Sequence, residues 1–352
     1  MKSWDAIVIG AGIIGLSLAI DLRKAGISVL VVERGEPGRE SSWAAGGMLA
    51  DCGLEIPAAL QTLATASARM YPEFVHELQD ESGLKIDLRA VGTLLFLDAP
   101  PSRDVQDSHP LTAPLAELEP ALRVPAKTPL YLKERSVDPR GLTTAAVAAA
   151  RHRGVDFSSG DQVLEVEIAA GKAACVRTTK TRFAAGAVIN CAGAWARQIG
   201  PHPFPTRPVK GQMLCVAVPR KELVRHVIRT PEVYLIPRSD GRMLIGATVE
   251  EAGFDKQTVP ETIQKLRRAA LELVPELENA KILEAWAGLR PGTPDNLPIL
   301  GATPTPGYFV AAGHFRDGIL LAPVTARVMG HLVAGRRPDW ELGAFSTDRF
   351  PR

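Results

Sequence analysis

The chain begins with an unbroken apolar run, Ala6 to Ile9, then glycines at 10, 12 and 15, a helical stretch to about Ala25, and a second apolar run, Val29 to Val32, ending in Glu33. That order predicts a buried strand, a glycine turn, a helix and a second strand. Farther along, Pro139 to Arg153 has proline at its start and glycine just beyond its end, the asymmetry of a helix. Ala187 to Cys191 reads as a strand entering another glycine turn. From about Arg207 to Gly288 the pattern becomes strand-rich: "GQMLCVAV", "EVYLIPR" and "RMLIGATV" are strands, the last two joined by a Ser239-Asp240-Gly241 hairpin turn. "TVPETIQKLRRAALELVP" is an amphipathic helix from near Pro260, and a last helix spans about Gly318 to Ala334. Residues 98–120, rich in Pro, Ser and Asp, predict a long surface connection with one short helical turn.

Gly10, Gly12 and Gly15 form GxGxxG directly between strand and helix, where chemistry first enters. Gly10 permits the tight turn, Gly12 lets the backbone approach a pyrophosphate, and Gly15 lets helix pack on strand. The helix N-terminus supplies oriented N–H donors. Glu33 is placed to accept hydrogen bonds from a ribose diol. These features predict a dinucleotide site without separating FAD from NAD; a glycine-packed helix and strand with no ligand is the plainer alternative. "ESSWAAGGML", Glu40 to Leu49, suits a chain lying flat along an extended cofactor, and "AAGAVINCAGAWA", Ala184 to Ala196, would return to the same sheet beside it. Inserts forming an antiparallel second domain would then leave a ligand cleft between the two.

With 352 residues, 46% of them hydrophobic, the chain has material for a large core and two domains. Its 41 basic and 39 acidic residues leave a net charge of +2, with no excess to attract nucleic acid or an anionic membrane. Cys52, Cys175, Cys191 and Cys215 form no CxxC pair, and the seven histidines are scattered, so neither a metal site nor a disulfide framework is expected. Free thiols fit a reducing compartment. The run from Ala6 to Ile20 is interrupted by glycine and too short to span a bilayer, so the expectation is a cytoplasmic protein.

The motifs "IVIGAGIIGLSLA", "ESSWAAGGML", "VDPRGL", "VINCAGAW", "VKGQML", "VYLIPRSDGRMLIGATVE", "AGLRPGTPDNLPILG" and "AAGHFRDGILLAPVTA", in this order over nearly the whole chain, resemble the D-amino-acid oxidase superfamily of FAD-dependent amine oxidases, most closely glycine oxidases of the thiamine-pathway type. The resemblance implies an α/β fold: a Rossmann-like FAD-binding domain from residues 1–85, 135–205 and 286–352, with an antiparallel sheet and helix substrate domain inserted at 86–134 and 206–285. It also implies oxidation of glycine, sarcosine or a small D-amino acid to the keto acid, with O₂ reduced to hydrogen peroxide. Alternatives are a dehydrogenase passing electrons to a quinone or carrier, and a noncatalytic flavoprotein serving assembly. Resemblance further suggests a homo-oligomer, a tetramer in glycine oxidases.

On this reading FAD contacts Gly10, Gly12, Ile13, Ile14 and Gly15, then Glu33 and Arg34, then Ser41, Ser42, Ala45, Gly46, Gly47 and Met48. Val163, Ala192, Gly193 and Trp195 follow on the returning strands, and His314, Phe315, Arg316, Asp317, Gly318 and Ile319 approach the flavin ring. The related sarcosine oxidases attach flavin through a cysteine whose counterpart here is Gly288, so FAD is expected to be noncovalent, with Cys52 the one thiol to check. Arg290, in the GLRP motif, would pair at two points with a substrate carboxylate, and an internal ion pair is its alternative. Tyr234 would be a second hand on that carboxylate, or a buried sheet aromatic. Arg316 is assigned to the site, pairing with Asp317 being its alternative; His314 is more structural than catalytic. Glu232, two residues before Tyr234, would share its face by strand alternation. Better-known glycine oxidases carry histidine there. No residue stands out as a base at carbon, so alignment is expected to carry the chemistry.

Overall fold

The computed structural model describes residues 2–52, 56–98, 108–123 and 129–350. Strand β1 (Ser3–Ile9), helix α1 (Ile13–Lys24) and strand β2 (Val29–Glu33) form the predicted unit, with β1 parallel to β2. On its other side β1 runs parallel to Arg182–Asn190, which runs parallel to Tyr308–Ala312; Asp156–Ser159 extends the sheet beyond β2. The ends of β1 and Arg182–Asn190 therefore lie side by side, so the glycine turns after each face one space.

Gly15 shows why the glycine spacing matters. A Cβ there would sit 2.0 Å from the Gly10 carbonyl oxygen, so only glycine allows α1 to lie this close to the turn. Helices α1, Gln61–Ser82, Pro139–His152 and Gly318–Val333 pack against one another over one face of the sheet. Asp138 caps the third by accepting from Arg140 N–H at 3.1 Å, with Pro139 at the first helical position. Gln61–Ser82 is absent from the sequence reading. Its signal is nonetheless present: Ala64, Ala68, Tyr71, Val75 and Leu78 are buried at helical spacing, and Gly83 ends it with φ +70. Its Pro72 reads as a helix breaker until tertiary packing overrides it.

The second sheet has eight strands in the order Lys281–Gly292, Arg207–Ala217, Arg242–Gly246, Tyr234–Pro237, Val227–Arg229, Thr93–Leu95, Leu130–Leu132, Ser108–His109. The first two form a long antiparallel ladder in which Gly211 faces Gly288 and Val209 faces Arg290. Helix Pro260–Leu273 packs its Leu266 and Ala270 onto this sheet. The boundary placed at 285/286 falls inside the unbroken strand Lys281–Gly292, which stays with the second sheet for its whole length. Of the connection at 98–120, residues 99–107 lie outside the described residues; Leu115–Leu118 is the short helical turn. No helix of the described residues is long and apolar enough to cross a membrane.

Gly15→Ala should force α1 away from the turn. We expect a loss of about 1–3 kcal/mol in urea unfolding of the apoprotein, as overpacking costs elsewhere, together with weaker flavin retention. An unchanged midpoint would contradict this account of the glycine.

Candidate active site

A cavity of about 1120 Å³ runs from the α1 N-terminus to the space between the sheets. All the predicted cofactor residues line it except Gly15, which instead brings helix and turn together. At the dinucleotide end Gly10 adopts φ +102, and a Cβ there would approach the Cys191 carbonyl oxygen to 2.6 Å. The Glu33 carboxylate accepts from Ala11 N–H at 2.8 Å and Gly35 N–H at 2.9 Å. A carboxylate has about four acceptor positions, so two remain for a diol. Ser42 Oγ accepts from Ile13 N–H at 2.9 Å, tying the 40–49 segment to the helix start. The Arg34 guanidinium lies 3.5 Å from the centre of the Trp195 ring and bonds Glu40 at 2.7 Å.

In the middle of the cavity, Ala45 to Met48 lie along the wall. Gly47 has φ +78, and a Cβ would fall 2.0 Å from the Val137 carbonyl oxygen. The buried Arg238 donates to Gly46 O, and Ser41 donates to Leu289 O. A Cβ on Gly288 would meet the Ala44 methyl at 2.4 Å, so this position cannot carry a larger side chain without moving the 41–44 helix. Cys52 is buried but does not line the cavity; Cys191 lines it, with burial pushing its thiol pKa up, away from a reactive thiolate.

Helix Gly318–Val333 points its N-terminus into the cavity, and hydroxyls from Gln61–Ser82 hold that first turn. Ser67 donates to Leu320 O at 2.6 Å and Tyr71 to Ile319 O at 2.9 Å. His314 Nε2 lies 3.1 Å from Thr325 Oγ1, and burial drives its pKa down to about 3, keeping the imidazole neutral. Burial raises Asp317 to about 6, opposed by Arg316. Arg316 is exposed and makes no salt bridge to Asp317 among the described residues.

Arg290 and Tyr234 meet at the far end. Arg290 Nη1 donates to Thr248 O at 3.0 Å, and its charge acts on the neighbouring Tyr234, whose hydroxyl donates to Met213 Sδ at 3.6 Å. Burial lowers the Arg290 pKa and raises that of Tyr234, while each opposes the shift of the other. Two glycines make the meeting possible. A Cβ on Gly211 would sit 2.3 Å from Arg290 Nη1, and one on Gly246 would sit 2.9 Å from the Tyr234 ring. Neither was singled out from sequence, although a glycine inside a strand signals close approach. Arg229 also lines this end and pairs with buried Glu134 at 2.8 Å; burial raises Glu134 to about 7 and lowers Arg229 to about 10.

Glu232 requires a correction. The strand begins at Tyr234, and Glu232 sits in the preceding turn, its N–H donating to Thr230 Oγ1 at 3.3 Å, so strand alternation does not apply to it. It is exposed at the cavity's edge. No group of three or more His, Cys, Asp or Glu among the described residues could hold a metal.

Residues 5–332 match the family model described as FAD dependent oxidoreductase (DAO). The chain belongs to that family. It is 34% identical over 351 residues to "Glycine oxidase" of Pseudomonas aeruginosa, covering 94% of this chain and 95% of that protein. It is also 34% identical to "Bifunctional protein ThiO/ThiG" of Trichormus variabilis, of which it spans 55%. The crystal structure of glycine oxidase from Geobacillus kaustophilus superposes with TM-score 0.92 at 30% identity, covering 100% of both chains. The cavity fits FAD: small glycines at 10, 12, 46, 47 and 193 along its lining, spare acceptors on Glu33, and a helix N-terminus at each of two places along its length.

His314 gives this FAD-dependent oxidoreductase a pH signature. The unfolded chain takes up the imidazole proton below about 6.5, while the folded protein refuses it until about 3, so stability falls as pH drops through 6.5. We expect a loss on the order of 2 kcal/mol between pH 7 and pH 5 from this group, largely absent in His314→Asn. Asp317 acts in the opposite sense in both proteins, so their difference isolates the histidine. Parallel pH curves for the two would refute it.

Proposed function

We propose that the protein is an FAD-dependent amino-acid oxidase that converts glycine, sarcosine or a small D-amino acid, with water and O₂, to the keto acid, ammonia or methylamine, and hydrogen peroxide. The observation that supports this most directly is Arg290 beside the Tyr234 hydroxyl at one end of the FAD cavity, with Gly211 and Gly246 making room for both. A planar guanidinium can meet both oxygens of a carboxylate, and a tyrosine hydroxyl can donate alongside it. The low-dielectric wall that lowers the Arg290 pKa also strengthens its attraction for an anion.

Bound FAD supplies the two-electron acceptor. The chain's part is to hold the carboxylate, orient the Cα–N bond and limit water. Arg290 and Tyr234 do the first. The N-terminus of Gly318–Val333 favours negative charge at the neighbouring part of the cavity. Neutral His314, bonded to Thr325, supports that loop without carrying a proton in the reaction. Gly288 leaves no thiol at the attachment position, so denaturation should release FAD intact.

Arg290→Ala should lower kcat/KM for glycine by the equivalent of about 2–5 kcal/mol, the cost of removing one partner of a desolvated charge pair, and should greatly weaken anaerobic bleaching of the flavin by glycine, sarcosine and D-alanine. Equal bleaching in both proteins would return Arg290 to a structural role. Peroxide formed in step with O₂ uptake supports the oxidase; bleaching without O₂ uptake, relieved by an artificial quinone, would replace it with a dehydrogenase.

Glu232 at the rim should favour substrates carrying a second cation and disfavour acidic ones. In Glu232→His, turnover of D-lysine relative to glycine should fall. An unchanged substrate ranking would show that the rim carboxylate takes no part in selection.

A further inference from the structure

The segment from Glu251 to Gln257 joins the second sheet to helix Pro260–Leu273 without regular structure, and almost all of it is exposed. Such a segment would ordinarily lie free, yet successive residues of this one reach across to the dinucleotide side of the cavity. The Phe254 ring, 43% exposed, stacks on Trp195 with centroids 5.1 Å apart and planes 29° from parallel. Lys256 Nζ lies 3.1 Å from the Glu40 carboxylate, which also receives Arg34 at 2.7 Å. Trp195, Glu40 and Arg34 all line the cavity. Asp255 is anchored from beneath by Lys210, a cation only 2% exposed, whose Nζ bonds it at 2.7 Å. The Lys210 backbone exchanges two hydrogen bonds of 2.9 Å with Glu250, fixing the root of the segment.

We propose that Glu251–Gln257 is a latch over the dinucleotide end of the FAD channel, closed by Phe254 on Trp195 and Lys256 on Glu40. The root and the closing contacts differ in kind. Lys210 is buried and its backbone is tied to Glu250, so the root stays fixed. Lys256 and Glu40 are 46% and 32% exposed, so their attraction is screened and easily broken, as opening requires. The segment belongs to the second sheet, whereas Trp195, Glu40 and Arg34 stand beside the first. Closing it therefore joins the two walls of the channel. Phe254 and Lys256 touch Trp195 and Glu40, which line the cavity, and are positioning residues.

The test uses FAD exchange in the holoenzyme and reconstitution of the apoprotein, both followed by flavin fluorescence. In Phe254→Ala, release into FAD-free buffer should be about two- to tenfold faster, the range a lost aromatic stack is worth, and reloading should accelerate as well. Phe254→Tyr, which keeps the stack, should restore both rates. Salt should speed release from the parent protein and have much less effect on Lys256→Ala. Should Phe254→Ala fail to fold, Phe254→Leu and Lys256→Ala carry the same comparison, with apoprotein melting as the folding control. Unchanged release in these variants would overturn the latch. Faster release with unchanged reloading would reduce these residues to ordinary affinity contacts and overturn it too. Loss of an oligomer by light scattering in Phe254→Ala, without altered exchange, would make the exposed ring a subunit contact instead.

Discussion

The antiparallel ladder between Arg207–Ala217 and Lys281–Gly292 is the constraint on which the cavity depends. Its register sets Gly211 opposite Gly288 and Val209 opposite Arg290. On one side of that pairing Gly288 receives the Ala44 methyl, docking the cofactor-facing segment onto the second sheet. On the same face, Gly211 vacates the volume that the Arg290 guanidinium occupies. A slip of one residue would reverse the faces of every side chain in the strand, sending Arg290 out of the cavity and bulk into it. A register error would thus disturb the cofactor wall and the carboxylate end together.

The two ends are treated differently by the surrounding dielectric. The dinucleotide end holds its polar groups by backbone donors and partly exposed ion pairs, with Glu33 bound to two N–H groups and Glu40 shared by Arg34 and Lys256. The far end is drier: Tyr234 and Arg290 shift in opposite directions through burial, and Arg229 pairs with Glu134 inside the wall. Uncompensated charge is expensive there, so an anion arriving at Arg290 gains more than it would in water. The asymmetry suits the proposed reaction, because a small carboxylate makes few contacts and gains most from a guanidinium in a dry wall.

Elements from far apart in sequence buttress the helix Gly318–Val333, whose first turn lines the cavity. Ser67 and Tyr71 donate to the carbonyls of residues 320 and 319 from a helix some 250 positions upstream. These bonds leave the first-turn N–H groups, which point the other way, free to face the cavity. Neutral His314 packs behind them. The loop from His314 to Gly318 is therefore held by buried hydrogen bonds, although it contains an exposed arginine and a non-glycine residue, Phe315, at φ +46.

The sequence by itself determined whatever rests on local order. The strand–glycine–helix–strand unit with its GxGxxG turn, the proline-started helices, the hairpin at Ser239 to Gly241 and the glycine loop feeding the last helix all follow from neighbours within a turn or two. Motif order was enough to point to the family. Only the tertiary structure decided what depends on distant pairing: the helix Gln61–Ser82, whose Pro72 argues against it until packing compensates; the whole strand 281–292 in the second sheet; the need for Gly211 and Gly246 beside Arg290 and Tyr234; and the place of Glu232 in a turn before the strand, where period-two alternation has no force. Local pattern records what a residue prefers. Which side chain fills the space above a glycine is set by the register of a partner strand, and that information lies elsewhere in the chain.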